Sequence, residues 1–216
     1  MSDAFTLTSS ASSIADDSAQ WSRRAAVFAR SVSDILSPAA MAAPCLLLGV
    51  LASDVSGTYL FALLYFAVAV PVPVMYVVWL VKSGRVDDFH LPDRRDRTGP
   101  FAVSIAGAVG AAALLYYFGA PVVFLAPVLT ALVQTVLLFL ITLRWQISIH
   151  TATAAGLVTF AILALGSGAA VLALLVPLVA WARVFLGRHT VAQTVAGAFL
   201  GCLSFTTLFA LRGIVW

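Results

Sequence analysis

Apolar residues fill this chain in long runs that are separated by short polar linkers. A helix that crosses the hydrocarbon core of a bilayer needs roughly 20 mainly apolar residues, so runs approaching that length predict transmembrane helices. Seven runs are candidates: about Pro38 to Leu51, Tyr59 to Val81, Phe101 to Ala120, Pro121 to Leu143, Ile149 to Leu165, Ala169 to Val184 and Val191 to Leu211. The pattern predicts an all-α fold, a multi-pass transmembrane helical bundle of six to seven helices.

Prolines and glycines indicate where these helices bend or reverse. Pro44, Pro71 and Pro73 lie inside apolar runs, where a bilayer helix tolerates proline with a kink if its neighbours satisfy the freed carbonyls. The segments 118–121 and 166–168 carry glycine or proline between runs. They predict tight reversals between antiparallel helices.

The residues before the first run are different in character. Met1 to Gln20 is rich in Ser, Ala and Asp without a basic start and apolar core, so it predicts a mobile tail rather than a cleaved secretion signal. Trp21 to Leu36 mixes three arginines with apolar residues, as in a helix that lies in the headgroup region, although a solvated lead-in helix fits equally well. We therefore divide the chain into 1–37, a tail and interfacial helix, and 38–216, the transmembrane domain.

The composition agrees with an integral membrane protein. Hydrophobic residues make up 62% of the 216 residues and charged residues only 10%, against about 25% charged in soluble proteins. Cys45 and Cys202 lie inside apolar runs, with no spacing that suggests a metal site. We expect no metal, no cofactor and no nucleic-acid partner, and the oligomeric state stays open.

The cations collect on one face of the predicted bundle. If all seven runs cross, the linkers after the second, fourth and sixth open on the same side, and with the N-terminal segment they hold every Lys and Arg except Arg212. Such a bias by itself marks the cytoplasmic side and needs no catalytic meaning. Charge bias does not explain why His90, His150 and His189 all lie on that face. The sequence thus predicts a functional site there, with its sidedness undecided because functional arginines distort the count.

The residue types on this face suit phosphate chemistry. Arginine forks match phosphate oxygens, and Ser148 and His150 begin a run where helix N–H groups favour an anion. A neutral imidazole can attack phosphorus while an imidazolium protonates the departing oxygen. The pattern predicts metal-independent phosphoryl transfer through a phosphohistidine. Taken singly, Ser148 fits an N-cap and His150 a hydrogen-bonded residue between helices.

Three short motifs carry a resemblance to a known family. The family's third motif is Ser-Arg, five residues, His, three residues, Asp, and it corresponds here to Ala182-Arg183, five residues, His189, three residues, Gln193. Its second motif, Pro-Ser-Gly-His, corresponds to Ile147-Ser148-Ile149-His150. Its first motif, Lys, six residues, Arg-Pro, corresponds to His90, six residues, Arg97-Thr98. Over roughly Gly84 to Gly201 the chain resembles the type 2 phosphatidic acid phosphatase superfamily, membrane relatives of vanadium haloperoxidases, as a divergent member.

The resemblance implies a role for each matched residue. His189 would be the nucleophile and His150 the general acid, while the phosphate ligands would be Arg97, Arg183 and Ser148, with His90 in the lysine position. Gln193 stands where the family has the aspartate that orients the nucleophile, and Asp96 or another aspartate of the same linker is a possible substitute. The implied activity is hydrolysis of a lipid (isoprenoid or glycerolipid) phosphate or diphosphate held in the bilayer.

Two other functions remain open at this point. Gln193 and the altered second motif also fit a catalytically degenerate protein that binds or translocates a phospholipid. The cluster Asp87, Asp88, Asp93 and Asp96 suggests a magnesium-dependent prenyl or alcohol phosphotransferase. That alternative lacks a second acidic motif, because no acidic residue follows Asp96.

Overall fold

The structure, a computed structural model, describes residues 20–87 and 95–215. Within these ranges no strand occurs, and the helices are α1 (Gln20–Ile35), α2 (Pro38–Leu51), α3 (Thr58–Ala69), α4 (Pro71–Lys82), α5 (Thr98–Tyr117), α6 (Val122–Thr142), α7 (Ile149–Leu165), α8 (Leu175–Phe185) and α9 (Val191–Val215). A 3-10 segment, Ser167–Leu174, leads into α8. The predicted all-α fold is confirmed, and His90, Asp88 and Asp93 lie outside the described residues.

Five helical stretches are long and apolar enough to cross a membrane. They are Thr58–Lys82, Thr98–Tyr117, Val122–Thr142, Ser167–Phe185 and Val191–Leu211, and a sixth results if α1 and α2, which meet at 47°, count as one broken span. The chain thus has the architecture of a multi-pass transmembrane helical bundle. By length and composition five or six stretches in the described part of the chain meet this requirement, and α7, with 17 residues, is a shorter apolar helix.

The helices end and reverse at the proline and glycine positions that the sequence predicted. α3 ends at Ala69 and α4 begins at Pro71, because proline has no N–H to continue the helical ladder. Gly119 and Gly166 adopt positive φ angles of 74° and 88° at the two reversals, a conformation that glycine adopts without strain. The sequence did not indicate that the sixth run starts as a 3-10 segment.

Helix α7 is the centre of the bundle and contacts α2, α8 and α9. Its closest partner is α9, where Gly197 and Gly201 face it four residues apart. A Cβ at Gly201 would overlap the backbone carbonyl of Ala152, and one at Gly197 would overlap that of Ser148. Small residues at this spacing let two helix backbones approach closely in a membrane. The contact sets the first turn of α7 beside the first turn of α9.

Replacing Gly201 by alanine is expected to destabilise the bundle by about 1–3 kcal/mol, since the added methyl meets backbone that cannot rotate away. Thermal unfolding of the purified protein in detergent measures the loss. Gly110→Ala is the matched control, because a Cβ there meets nothing within 4 Å and alanine favours a helix. Equal midpoints for the two variants would contradict the close packing of α7 on α9.

Helix α1 is packed into the bundle. Its Ala29 and Val32 form a buried cluster with Ala182 of α8, and the rings of Phe28 and Trp181 are 5.8 Å apart. The three arginines of α1 lie on its exposed surface. Helix α1 thus packs against α8, while the division of the chain at residue 37 and the position of α1 in the headgroup region stay predictions.

Candidate functional site

The predicted site residues come together at one end of the bundle. Arg97 is the N-cap of α5, Ser148 is the N-cap of α7 with His150 in its first turn, Arg183 lies in the last turn of α8, and His189 lies just before α9. Three helix N-termini, those of α5, α7 and α9, thus belong to this end. Their unpaired N–H groups and positive dipole ends favour an anion.

Two guanidinium groups are buried at this end. Arg97 is 5% exposed and Arg183 2%, which is rare for arginine and requires polar partners. Nη1 of Arg183 donates a hydrogen bond of 2.7 Å to Oγ of Ser33 in α1. This contact fixes the direction of the Arg183 fork.

His189 is held by a capping arrangement at the start of α9. Oε1 of Gln193 accepts from the backbone N–H of Thr190 at 3.0 Å, and Oγ1 of Thr190 accepts from the backbone N–H of Gln193 at 3.3 Å, as in a capping box. The same Oε1 lies 3.1 Å from Nδ1 of His189. Because the N–H of Thr190 requires an oxygen there, Nδ1 must be the protonated ring nitrogen. Nε2 therefore carries the lone pair.

The Nε2 atom of His189 is buried and makes no hydrogen bond to the described residues. Burial lowers the pKa of His189 to about 4, helped by the nearby charges of Arg97 and Arg183, while the hydrogen bond with Gln193 and the nearby backbone of Gln146, which does not meet hydrogen-bond geometry at Nε2, act in the opposite direction. The imidazole is thus neutral at pH 7. A neutral ring with a free Nε2 is the form that can act as a nucleophile or base.

A cavity of about 680 Å³ opens beside these residues. Its wall includes Arg97, His150 and Arg183 and also the carboxylate of Asp34 from α1. We call these four residues the polar mouth. Most of the remaining wall is apolar and comes from α2, α3, α4, α5, α6, α7 and α9. The predicted nucleophile, His189, is not among the residues of the wall, although the charges of Arg97 and Arg183 reach it.

Two further predicted residues of this end are Ser148 and Asp96. Ser148 is 0% exposed, and its Oγ accepts from the backbone N–H of Thr151 at 3.5 Å, so the N-cap interpretation is confirmed and its role as a phosphate ligand stays a prediction. The side chain that meets Nδ1 of His189 is Gln193; within the described ranges no hydrogen bond or ion pair joins Asp96 to His189.

The sequence did not identify Ser33 as part of the site. Its only signal was that Ala29, Val32 and Ser33 share one face of a helix at i, i+3 and i+4, away from the exposed arginines. Nothing in that pattern pointed to Arg183, which is 150 residues away along the chain.

Removing the Ser33 hydroxyl is expected to lower the free energy of unfolding by about 1–3 kcal/mol, because the buried charged donor Arg183 loses its hydrogen-bond partner. Thermal unfolding of Ser33→Ala in detergent tests this, with Ser31→Ala, an exposed serine of the same helix, as control. Equal unfolding midpoints for the two variants would show that the Ser33–Arg183 contact does not hold α1 on α8.

The fold and the site together define a class: a multi-pass helical membrane protein in which a polar, cationic mouth opens into an apolar chamber. No family model, no curated protein and no solved structure matches the chain. The proposed function therefore depends on the residues and their geometry.

Proposed function

We propose that this protein is an integral membrane phosphatase that hydrolyses a lipid phosphate or diphosphate through a phosphohistidine, as its resemblance to the type 2 phosphatidic acid phosphatases implies. The observation that carries the proposal is the cavity, which combines Arg97, His150 and Arg183 with a mainly apolar wall. Arginine and imidazole bind phosphate oxygens, and the apolar wall suits a hydrocarbon chain.

The reaction has two steps. Nε2 of His189 attacks phosphorus, the bond from phosphorus to the ester oxygen breaks, and His150 gives its proton to that oxygen. Water then attacks the phosphohistidine, His150 takes a proton from the water, and the P–N bond breaks to release inorganic phosphate. Arg97 and Arg183 stabilise the charge that develops on the equatorial oxygens in both steps.

The position of His189 sets a requirement on this mechanism. Since His189 stands outside the cavity wall, its ring and the phosphate must approach each other when substrate binds. Catalytic contacts often tighten only in the substrate complex. Nδ1 is fixed by Gln193, so the movement required is of the substrate phosphate or of the neighbouring arginines.

The cavity wall favours a lipid over a water-soluble ester. Phe101, Phe124, Leu138 and Phe205 belong to the wall, and each is buried. Hydrophobic burial of a chain among such side chains gives about 0.8 kcal/mol per methylene. A short, polar phosphate ester would gain little from this surface.

Release of inorganic phosphate from a lipid phosphate by the purified protein in detergent tests the proposal. We expect release that continues in excess EDTA, because the proposed residues need no metal, and that is much slower for a short-chain phosphate ester. Failure of every lipid phosphate and diphosphate to release phosphate would overturn it.

A second candidate is a degenerate protein that binds a phospholipid without hydrolysing it. The neutral Gln193 beside His189 and the absence of His189 from the cavity wall favour it. Binding of vanadate or of a lipid phosphate without turnover would be its signature. The magnesium-dependent phosphotransferase stays an alternative from the sequence: Asp87 and Asp96 are described, whereas Asp88 and Asp93 of the same cluster fall outside the described residues.

A further inference from the structure

Two helices that line the cavity do not pack against each other. Ala39 and Ala42 of α2 and Pro73 and Val74 of α4 belong to its wall, and all four are half-buried. Helix α2 packs on α3, α6 and α7, and α4 packs on α3 and α5, whereas no packing of comparable extent joins α2 to α4 among the described helices. The four residues thus border an opening of the cavity, which we call the α2–α4 gap.

The α2–α4 gap is closed at one end and open at the other. Helices α2 and α3 meet in an apolar cluster that includes Leu46, Val50, Phe61 and Tyr65. The helix then breaks at Pro71, because proline has no N–H to continue the ladder, and α4 packs on α5 instead of α2. The two sides therefore separate towards the end of the bundle that carries the polar mouth.

Exposed tryptophans lie at this end of the bundle. Trp79 is in α4, Trp145 in the linker before α7 and Trp181 in α8, and all three are exposed. The guanidinium of Arg85 lies 4.5 Å from the centre of the Trp79 ring. Tryptophan is enriched at the boundary between membrane and water, so these side chains indicate the headgroup level. Val74 is five residues before Trp79, about 8 Å deeper along the helix, so the gap faces hydrocarbon.

The depth of the cavity corresponds to one leaflet of the bilayer. Its wall on α2 extends from Pro38 to Gly49, a length of about 16 Å along the helix axis. The hydrocarbon core of a bilayer is about 30 Å thick. A chain that lies in the cavity from the polar mouth inwards thus occupies the same depth as a chain in the surrounding leaflet.

We propose that the substrate lipid enters the cavity sideways from one leaflet, through the α2–α4 gap, with its chain between the two helices and its phosphate at the polar mouth. The inference rests on the proposed function for the phosphate and adds the route and the orientation of the lipid. On this route the chain never meets water, whose contact with apolar surface is unfavourable. The phosphate stays at the headgroup level and never crosses hydrocarbon, where a charge is costly.

Ala42→Trp and Val74→Trp test the route by filling the gap from either side. The purified full-length protein is placed in phosphatidylcholine vesicles that contain a long-chain alkyl monophosphate. We expect kcat/KM for phosphate release to fall about tenfold or more in each variant, because the indole obstructs entry. A short-chain phosphate ester, present on both sides of the vesicle membrane, should keep its slower rate, because it reaches the polar mouth from water.

Ala43→Trp and Met75→Trp are the matched controls. Each is one residue beyond a tested position, is exposed and lies outside the cavity wall, so each should release phosphate like the unmodified protein. Ala42→Leu and Val74→Phe add less bulk and should give smaller losses, which keeps the test valid if a tryptophan variant does not fold. Equal losses in wall and control variants, or no loss in any wall variant, would overturn the inference.

A binding measurement separates this inference from the proposed function. An alkyl monophosphate with a photoreactive group at the end of its chain should label the protein in vesicles, and an excess of the unlabelled compound should prevent this. Labelling that Ala42→Trp and Val74→Trp reduce, without any phosphate release, would support the inference and remove the phosphatase. Phosphate release that is equal in wall and control variants would leave the phosphatase and overturn the inference. Absence of competed labelling would also overturn it.

Discussion

His189→Ala is expected to lower the rate of phosphate release on the order of 10⁴-fold, since the loss of a nucleophile that forms a covalent intermediate leaves only binding and electrostatic stabilisation. The measurement is release from a lipid phosphate under saturating substrate. His189 is buried at the start of α9, so the midpoint of thermal unfolding is recorded for the same sample. Release within tenfold of the unmodified protein would remove His189 as the nucleophile.

The covalent intermediate of the proposed mechanism gives this prediction a second measurement. Quenching the unmodified protein with alkali after brief exposure to labelled substrate should leave label on the protein, because a phosphohistidine is stable in base and labile in acid. His189→Ala should carry no label. Label that persists in this variant would assign the intermediate to another residue.

The proposed mechanism requires the neutral form of His189, so it predicts that kcat/KM decreases at low pH. Its pKa is lowered to about 4, so the free protein should keep this group neutral above that pH, and kcat/KM should fall as pH drops through about 4. The folded-state pKa lies below the unfolded value of 6.5. The stability that this group contributes is therefore fully present above pH 6.5 and decreases as the pH falls towards 4.

Gln193→Glu is expected to shift the pH dependence of kcat/KM in a defined direction. A carboxylate in the same position keeps the acceptor for Nδ1 and the N–H of Thr190 and favours the imidazolium, so the pKa of His189 should rise by about 1–3 units. The fall of kcat/KM then moves to higher pH. An unchanged pH profile would show that the contact between Gln193 and His189 does not control the reacting group.

The second large effect is expected at Arg183. Arg183→Lys keeps the positive charge but removes the planar fork that can hold two phosphate oxygens and the hydrogen bond to Ser33 at once. We expect kcat/KM to fall on the order of 10²–10³-fold, as for the loss of one transition-state donor. Steady-state kinetics on the lipid phosphate measure it.

Arg144→Lys is the matched control for this substitution. Arg144 lies at the same end of the bundle, in the linker before α7, and is exposed. Because an exposed arginine loses little when its charge is kept, we expect a change of less than about threefold. Equal losses in the two variants would indicate a general effect of charge at this end rather than phosphate binding by Arg183.

The sequence determined the helical architecture of this protein and the end at which its polar residues lie. Both follow from local properties: the length of an apolar run sets whether a helix can cross the bilayer, and alternation of linkers sets which linkers share a face. The proximity of Arg183 and His189 could be predicted for the same reason, because the two residues lie on either side of the end of one helix. Kinks and reversals at Pro71, Gly119 and Gly166 were local as well.

Only the tertiary structure decided which of these residues line the cavity and which stand behind it. The hydrogen bond between Ser33 and Arg183 joins α1 to α8, and the pKa of His189 depends on burial by several helices and on Arg97 from α5. The same is true of Gln134, which in the sequence is one polar residue in an apolar run and in the fold is a buried residue of the cavity wall whose Oε1 makes no hydrogen bond to the described residues. Such properties arise from packing between segments that are distant in the sequence. The pattern of apolar residues within one helix cannot predict them.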